Sequence, residues 1–600
     1  MILQELMRYY DRKSRDPDPA QRLPNLGLKD KEIRFIIELA ADGRVVQLRD
    51  TRRLEGKKLR DQSFLVRQGV KKTSGVVANL LWDSAAYVIG LDKARKGNAE
   101  VTPHAAFRAR IDALPQAAQT DAGLRAVIAA LDRADWSVLQ GHPAWAEIQE
   151  TNPVMSFQLT GDVDLVCQRP AVAAAALPVV DANARFGLCL VEGVTAPIQR
   201  LHSAIKGVWG AQSSGANIVS FNARSFESYG KSDRQGENAP VGERAAFAYT
   251  TALNHLLAKD SRNRVQVGDA STVFWADAPT QFDGEFTLAD FFGETKDDPD
   301  RGVRAVQALH QALASGQLPV GERDAQFFVL GLAPNAARIS VRFWLRAPLS
   351  ELAPRILQHF DDLKVVRRYD GDPATPSLFR LLSGLALLGK LDNVPPRLAG
   401  EWMRAILEGQ PYPVTLLNAA VIRCKAEQSA RDQNGKLKDN VPYLRAAVLK
   451  AWLNRDHRRT HLSAPANHQH FKEELDMQQT DTPYLLGRLF SVLERVQEEA
   501  ARPGKLNSTI RDRYYGAAST TPVAVFTTLL RLKNAHIKKL SGGQSTNFER
   551  LIGEVMAPID DFPRQLTLPQ QAKFALGYYH QRQAFYKRKD DSSTPTSQEK

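Results

Sequence analysis

His457 and His461 stand four residues apart, and His468 and His470 follow closely. On a helix, imidazoles at i and i+4 share a face and can pair on a metal. Here the pair encloses Arg458, Arg459 and Thr460, with no glutamate to serve as a general base. Two arginines oppose a divalent cation, so the stretch reads as a solvated basic loop with no metal. Asp162 and Asp164 fall on one face of a strand-like run and suggest paired Mg²⁺ ligands. No third acid joins them, and an exposed strand face is the better reading. Gly230-Lys231-Ser232 follows the strand-like run Asn217 to Phe221 and invites comparison with a phosphate-binding loop. That loop needs glycine at position 225, where serine stands, and Phe226 and Tyr229 crowd it. No G-x-S-x-G, H-E-x-x-H or paired C-x-x-C occurs. The residues point to no catalytic centre and no cofactor. The alternative is a metal-dependent nuclease or other DNA-processing enzyme built on Asp162, Asp164 and the His457–His470 cluster.

Two polar segments look suited to binding instead. The first is Lys71, Lys72, Thr73 and Ser74, followed by Gly75 and, after three apolar residues, Asn79. Lysines and hydroxyls suit phosphates, and an asparagine amide suits a base edge. The second runs from Ser220 to Val241 and holds Phe221, Phe226, Tyr229, Lys231, Gln235 and Asn238. A long loop with interleaved aromatic and amide side chains fits a base-stacking or strand-holding surface.

Charge supports that reading. The net charge is +13. Residues 1–100 carry 21 basic and 14 acidic residues, and residues 477–600 carry 18 and 12. The 376 residues between them balance at 41 each, so the whole excess lies at the two ends. The densest block holds Arg49, Arg52, Arg53, Lys57, Lys58, Arg60, Arg67, Lys71 and Lys72 against three acids. A second block from Arg423 to Arg459 has ten basic residues against four acids. A polyanion is the natural partner, because each neutralised phosphate releases condensed counterions. The first block lacks the bulky apolar face of a membrane-lying helix.

The elements that must position these residues are mixed. Over 600 residues, 43% are hydrophobic and 24% charged, which is ordinary globular composition and suggests roughly three to five domains. Three cysteines cannot frame disulfides, no apolar run reaches the ~18 residues of a membrane span, and the N-terminus lacks a signal peptide's pattern. A reducing, cytoplasmic setting is expected. Residues 1–16 read as a helix, and Asp42–Gly43 as a hairpin turn. Residues 104–150 read as helices. Strands are expected at Ser156–Val166, Ala184–Leu190, Asn217–Phe221 and Ser271–Trp275. Phe327–Leu332 pairs with Arg338–Leu345 through a turn at Pro334–Asn335. Helical periods follow at Arg355–Phe360, Ser377–Leu388, Glu401–Glu408 and Tyr443–Leu453, and from Pro483 to Tyr586. The fold class is α+β: a mixed region over 1–345, a helical connecting region over 346–476, and a helical bundle over 477–600. The tail from about residue 588 has no core residues and is expected to be disordered.

Three stretches carry a resemblance. KKTSGVVANLLWDSAAYVIG (Lys71 to Gly90), SFNARSFESYGKSDRQGENAPVGERAAFAYTTALNHLL (Ser220 to Leu257) and VGDASTVFWAD (Val267 to Asp277) resemble signature blocks of the large subunit of the type I-C CRISPR surveillance complex, Cascade. The resemblance extends to about residue 590. It implies a non-catalytic subunit beside the handle-binding and backbone subunits of an RNA-guided complex. Such a subunit recognises a protospacer-adjacent motif (PAM) in duplex DNA, helps open the duplex into an R-loop, and helps recruit a helicase-nuclease. On this chain it puts PAM contacts at Lys71, Lys72, Thr73, Ser74 and Asn79, with Gln235 and Asn238 as a second set. Arg49, Arg52, Arg53, Lys57, Lys58 and Arg60 then hold duplex backbone. It also implies a small helical subunit translated from an internal start, for which Met477 is the candidate. Arg488, Arg495, Arg511, Arg513, Arg531, Lys533, Lys538 and Lys539 would contact the displaced strand.

Overall fold

The computed structural model describes residues 1–586 apart from 19–20, 56–57, 71–75, 92–101, 176–183, 232–234, 268, 279–324, 370, 391–392, 396, 436, 462–467, 504–505 and 507. It is an α+β chain that divides into two compact units. One comprises Met1–Ser203 and Val219–Leu253, the other Ala204–Ile218 and Asn254–Lys600.

The first unit opens with α1 (Ile2–Lys13), whose Leu6, Tyr9 and Tyr10 are buried on one face. Its strands are β1 (Leu28–Glu32), β2 (Phe35–Leu39), β3 (Val45–Asp50), β4 (Arg53–Glu55), β5 (Lys58–Arg60), β6 (Ser63–Arg67), β7 (Trp82–Ser84) and β8 (Val154–Leu159). The central sheet has the order β3-β2-β8-β7, with β2 parallel to β8 and the other pairs antiparallel. Strand β2 is covered on both faces, which its unbroken apolar run Phe35-Ile36-Ile37 requires. Phe35, Ile37 and Leu39 face a core shared with the helices Pro103–Asp112 and α2 (Ala122–Arg133). Ile36 faces the other way, into a smaller cluster with Ile33, Val66, Trp82 and Leu165. The Asp42–Gly43 turn forms as expected. Gly43 has φ +85°, and a Cβ there would lie 2.5 Å from the Ala129 methyl, so only glycine fits. Two short strands, β9 (Phe186–Leu188) and β10 (Thr195–Pro197), form an antiparallel pair. Helix α3 begins at Glu243 and runs to Leu256.

The second unit is built on a four-stranded antiparallel sheet in sequence order: β11 (Arg264–Val267), β12 (Ala270–Ala276), β13 (Gln326–Asn335) and β14 (Arg338–Pro348). All seven residues of β12 are buried. The β13–β14 turn falls at Ala336–Ala337, two residues beyond the expected Pro334–Asn335, with Ala336 at φ +53°. The expected strand at Asn217–Phe221 is reduced to one bridge, Asn217 to Arg338. Helices follow: α4 (Leu349–Leu363), α5 (Leu378–Leu385), α6 (Leu398–Glu408), α7 (Val414–Ala426), α8 (Tyr443–Thr460), α9 (Thr482–Ala500), α10 (Ile510–Ala518), α11 (Pro522–Ile537), α12 (Gly542–Met556) and α13 (Leu568–Ala584).

One continuous core runs from this sheet through every one of these helices. The bundle over 477–586 therefore shares its interior with the helices before it. Tyr579 of α13 donates its hydroxyl to the Val366 carbonyl at 2.6 Å, and Lys425 of α7 reaches Gln571 at 2.9 Å. Within the bundle, α9 and α13 cross at two glycines. A Cβ on Gly487 would lie 1.9 Å from the Phe574 carbonyl oxygen, and one on Gly577 would lie 2.0 Å from that of Tyr484.

Candidate nucleic-acid interface

The densest basic block divides into a rooted part and a presented part. Arg52 is rooted. Its guanidinium donates to both Asp50 oxygens and, at 2.9 Å each, to both Glu147 oxygens. Its pKa is raised, first by the Asp50 hydrogen bonds. Arg34 joins the same cluster, reaching Glu147 and Asp61 at 3.1 Å. Thr51 closes the root, donating to the Ile33 carbonyl at 2.6 Å and accepting the Gln62 N–H at 3.2 Å. Arg49 is likewise engaged, with Gln158 at 2.5 Å and Glu38 at 3.5 Å.

Above this root stands the β4–β5 hairpin. Its register pairs Arg53 with Arg60 and Leu54 with Leu59. Cross-strand partners share a face and neighbours alternate, so the arginine pair and the leucine pair lie on opposite faces. Both arginines are exposed. Leu54 is 71% exposed and Leu59 63%. Two solvent-facing leucines between cations are out of place on an ordinary polar hairpin. Lys57 and the side chain of Lys58 lie outside the described residues.

Lys71, Lys72, Thr73 and Ser74 also lie outside the described residues, but the ends of their loop are fixed. Asn79 is buried, and its Oδ1 accepts the Val70 N–H at 3.0 Å. Its own N–H donates to Asp83 at 2.9 Å. Trp82 donates its indole N–H to the Arg67 carbonyl at 3.0 Å. The structure therefore uses the Asn79 side-chain oxygen to tie Val70 to Asn79 rather than leaving it open to a base.

The second polar loop is held in the same manner. The Asn238 Oδ1 accepts the Ser228 N–H at 3.0 Å, and its Nδ2 donates to the Gln235 carbonyl at 3.1 Å. Lys231 donates to the Glu237 carbonyl at 2.8 Å. Gly236 lets the chain pass close, since a Cβ there would lie 2.4 Å from the Gln199 carbonyl oxygen. Gln235 has φ +32°, and its side-chain oxygen is buried. What this frame presents is Tyr229, at φ +53° and 94% exposed.

The C-terminal cations separate by burial. Arg488 is buried, donating to Gln581 at 3.1 Å and to the Met477 sulfur at 3.2 Å. Arg511 is buried beside Glu494 at 3.6 Å, in a network where Tyr578 and Arg582 also reach Glu494. Neither side chain can meet a phosphate in this fold, which corrects the strand-binding role expected of them. Arg495 is ion-paired to Glu499 at 2.5 Å, and Lys533 to Glu549 at 2.7 Å. Arg513, Arg531, Lys538 and Lys539 are exposed. Much of the Arg423–Arg459 block is likewise internal: Arg445 pairs with Glu427, Lys450 is buried, and Arg458 pairs with buried Asp362.

A family model described as CRISPR-associated protein (Cas_Csd1) matches residues 6–586. The chain belongs to the Csd1 family. It matches no curated protein. A Csd1-family protein works among other CRISPR components, and in this one no helix among the described residues is long and apolar enough to cross a membrane. The carboxylates weighed for a nuclease are otherwise occupied in part, since Asp162 is ion-paired with Arg169, which also binds Asp121. The expected strand face for Asp162 and Asp164 is a turn beyond β8. The four histidines, set aside above as a solvated loop, are brought together. Sequence reasoning also missed Leu54 and Leu59. Their alternation with Arg53 and Arg60 was the available signal.

Proposed function

We propose that this Csd1-family protein is the large, non-catalytic subunit of a type I-C RNA-guided effector complex in the cytoplasm. In this reading it recognises a PAM in duplex DNA, promotes opening, holds the displaced strand and helps recruit a helicase-nuclease. Family membership supports the CRISPR setting. The observation that carries the DNA reading is the β4–β5 hairpin, with an arginine pair on one face and an exposed leucine pair on the other. Cations on Arg53, Lys57, Lys58 and Arg60 neutralise phosphates, while apolar side chains between base steps unstack and kink a duplex. Lys71, Lys72, Thr73 and Ser74 then approach the PAM from a loop whose ends are pinned by Asn79. Tyr229 offers a stacking surface for an unpaired base. Guide RNA reads the rest of the sequence by base pairing.

The C-terminal bundle serves the displaced strand through Arg513, Arg531, Lys538 and Lys539. Met477 is exposed in the turn before α9, whose N-terminus Asp481 caps, so a product starting there keeps helices α9 to α13 and leaves uncovered the face they share with the helices before them.

The test is target-duplex binding and opening by the assembled complex, with base unstacking followed by fluorescence. Leu54→Ser with Leu59→Ser leaves initial binding near wild type and slows opening. Arg53→Ala weakens binding to all duplexes and reduces the salt slope by about one. Wild-type opening by the leucine variant, with an unchanged salt slope for the arginine variant, would remove the hairpin from the interface. Cleavage of DNA by the purified chain with Mg²⁺ would favour the nuclease alternative.

A further inference from the structure

The histidines that the sequence scattered over the end of α8 and the following segment meet in space. Nitrogens of His457, His468 and His470 all lie within 4.8 Å of one another. The His457 ring lies between two others, with centroids 4.0 Å from His461 and 4.1 Å from His470. This is a supported arrangement. Asn454, one turn before His457, donates to the Phe471 carbonyl at 2.9 Å and accepts the Phe471 N–H at 2.8 Å. Lys450, a further turn back, is buried and donates to Gln469 at 2.6 Å. Gln469 also donates to the Asp361 carbonyl at 2.9 Å. With 469 and 471 tied down, 468 and 470 are directed toward His457.

We infer that His457, His468 and His470 form a zinc site, completed by solvent or by His461. The electrostatic objection to a cation disappears in the folded chain. Arg458 is paired with Asp362 and also donates to the His468 carbonyl at 3.1 Å, so it positions a ligand instead of repelling the ion. Arg459 is paired with Asp456 at 2.8 Å, and nearby Lys573 with Asp481 at 2.6 Å. Three imidazoles suit Zn²⁺, a borderline ion that binds nitrogen at about 2.0 Å, and do not suit Mg²⁺ or Ca²⁺, which need oxygen. Nitrogens on one tetrahedral zinc stand roughly 3.3 Å apart, so to bind it the rings close by up to about 1.5 Å and turn out of the stack that His457 and His470 now form. The ion would clip the end of α8 to the segment that leads into the C-terminal bundle.

The test uses the full chain, purified without a polyhistidine tag and stripped with chelator. After incubation with zinc sulfate and gel filtration, elemental analysis should find one zinc per chain, and the melting temperature should rise. Cobalt(II) in its place should give the intense visible bands of four-coordinate geometry, whereas Mg²⁺ and Ca²⁺ should shift nothing. His457→Ala and His468→Ala should each lower zinc affinity by about tenfold or more. His468 is exposed, so its variant keeps the metal-free melting temperature and decides the matter if His457→Ala fails to fold. No retained zinc, or equal retention by both variants, would overturn the assignment.

Discussion

Asp83 and Asn79 lock one another's surroundings: an Asp83 oxygen accepts the Asn79 N–H, and the Asn79 side chain in turn accepts the Val70 N–H. This brings the two ends of the 71–75 loop together. Asn79→Ala leaves the half-buried Val70 N–H without its acceptor and should cost about 0.5–1.5 kcal/mol, read as a lower thermal midpoint. Asn79→Asp keeps an acceptor but buries a second carboxylate beside Asp83, so it should recover little of the loss. Equal stability of wild type and alanine variant would show that the clasp contributes nothing.

Buried and exposed cations of the C-terminal bundle should behave oppositely. Arg511→Ala removes a buried side chain beside Glu494, which keeps Arg582 and Tyr578, and should destabilise by about 1–3 kcal/mol, whatever DNA is present. Arg531→Ala with Lys538→Ala should stay within about 0.5 kcal/mol of wild type while weakening single-strand binding. Denaturant midpoints beside strand-binding titrations separate the two classes. A stable Arg511→Ala protein would contradict the burial argument.

Acid should weaken the second unit through two interior histidines. Burial holds His359 and His580 at about 3 each, far below the ordinary value of 6.5. The unfolded chain takes up these protons as pH drops below about 6.5, while the folded chain refuses them until about 3. Their stabilising effect is complete above that window and is lost as pH falls through it. Each contributes up to about 1.4 kcal/mol per pH unit. Lys450, held down at about 8 by burial, is already protonated across this range and does not tilt it. Urea midpoints that stay constant between about pH 7 and pH 5 would rule this out.

Alanine at Gly487 should be among the most damaging single-methyl changes in the chain. The added Cβ meets the Phe574 carbonyl inside van der Waals contact, and backbone cannot rotate away as a side chain does. A loss of about 3 kcal/mol or more is expected. Gly543→Ala, where a new methyl meets nothing within 4 Å, should be neutral or stabilise by up to about 1 kcal/mol. Similar melting curves for the two variants would refute the close crossing.

Much of the scaffold was legible in the sequence. The Asp42–Gly43 turn, the buried strand at Ser271–Trp275 and the run of helices from Leu349 all follow from local pattern. The β13–β14 turn slipped by two residues because alanine at positive φ leaves no mark in composition, whereas Pro334–Asn335 does. The binding residues were less legible for a different reason. Arg511 and Arg513 are two apart and identical in type, and only partners distant in sequence, Glu494 and Asp439, distinguish the interior one. Asn79 looked like a base reader because its acceptor is used by a backbone group that spacing alone does not reveal. The histidines failed as a metal pair on the character of Arg458, which tertiary pairing with Asp362 reverses.

The two glycines of α9 and α13 also bear on how force can pass through the bundle. Helices that meet through side chains can ratchet, trading one set of interlocked groups for the next. Here backbone rests on backbone, and one turn away from Gly487 stand Tyr484 and Phe490. Sliding by a turn would drive a ring into a carbonyl. The pair is therefore a single strut: a push delivered at either end moves both helices together or moves neither.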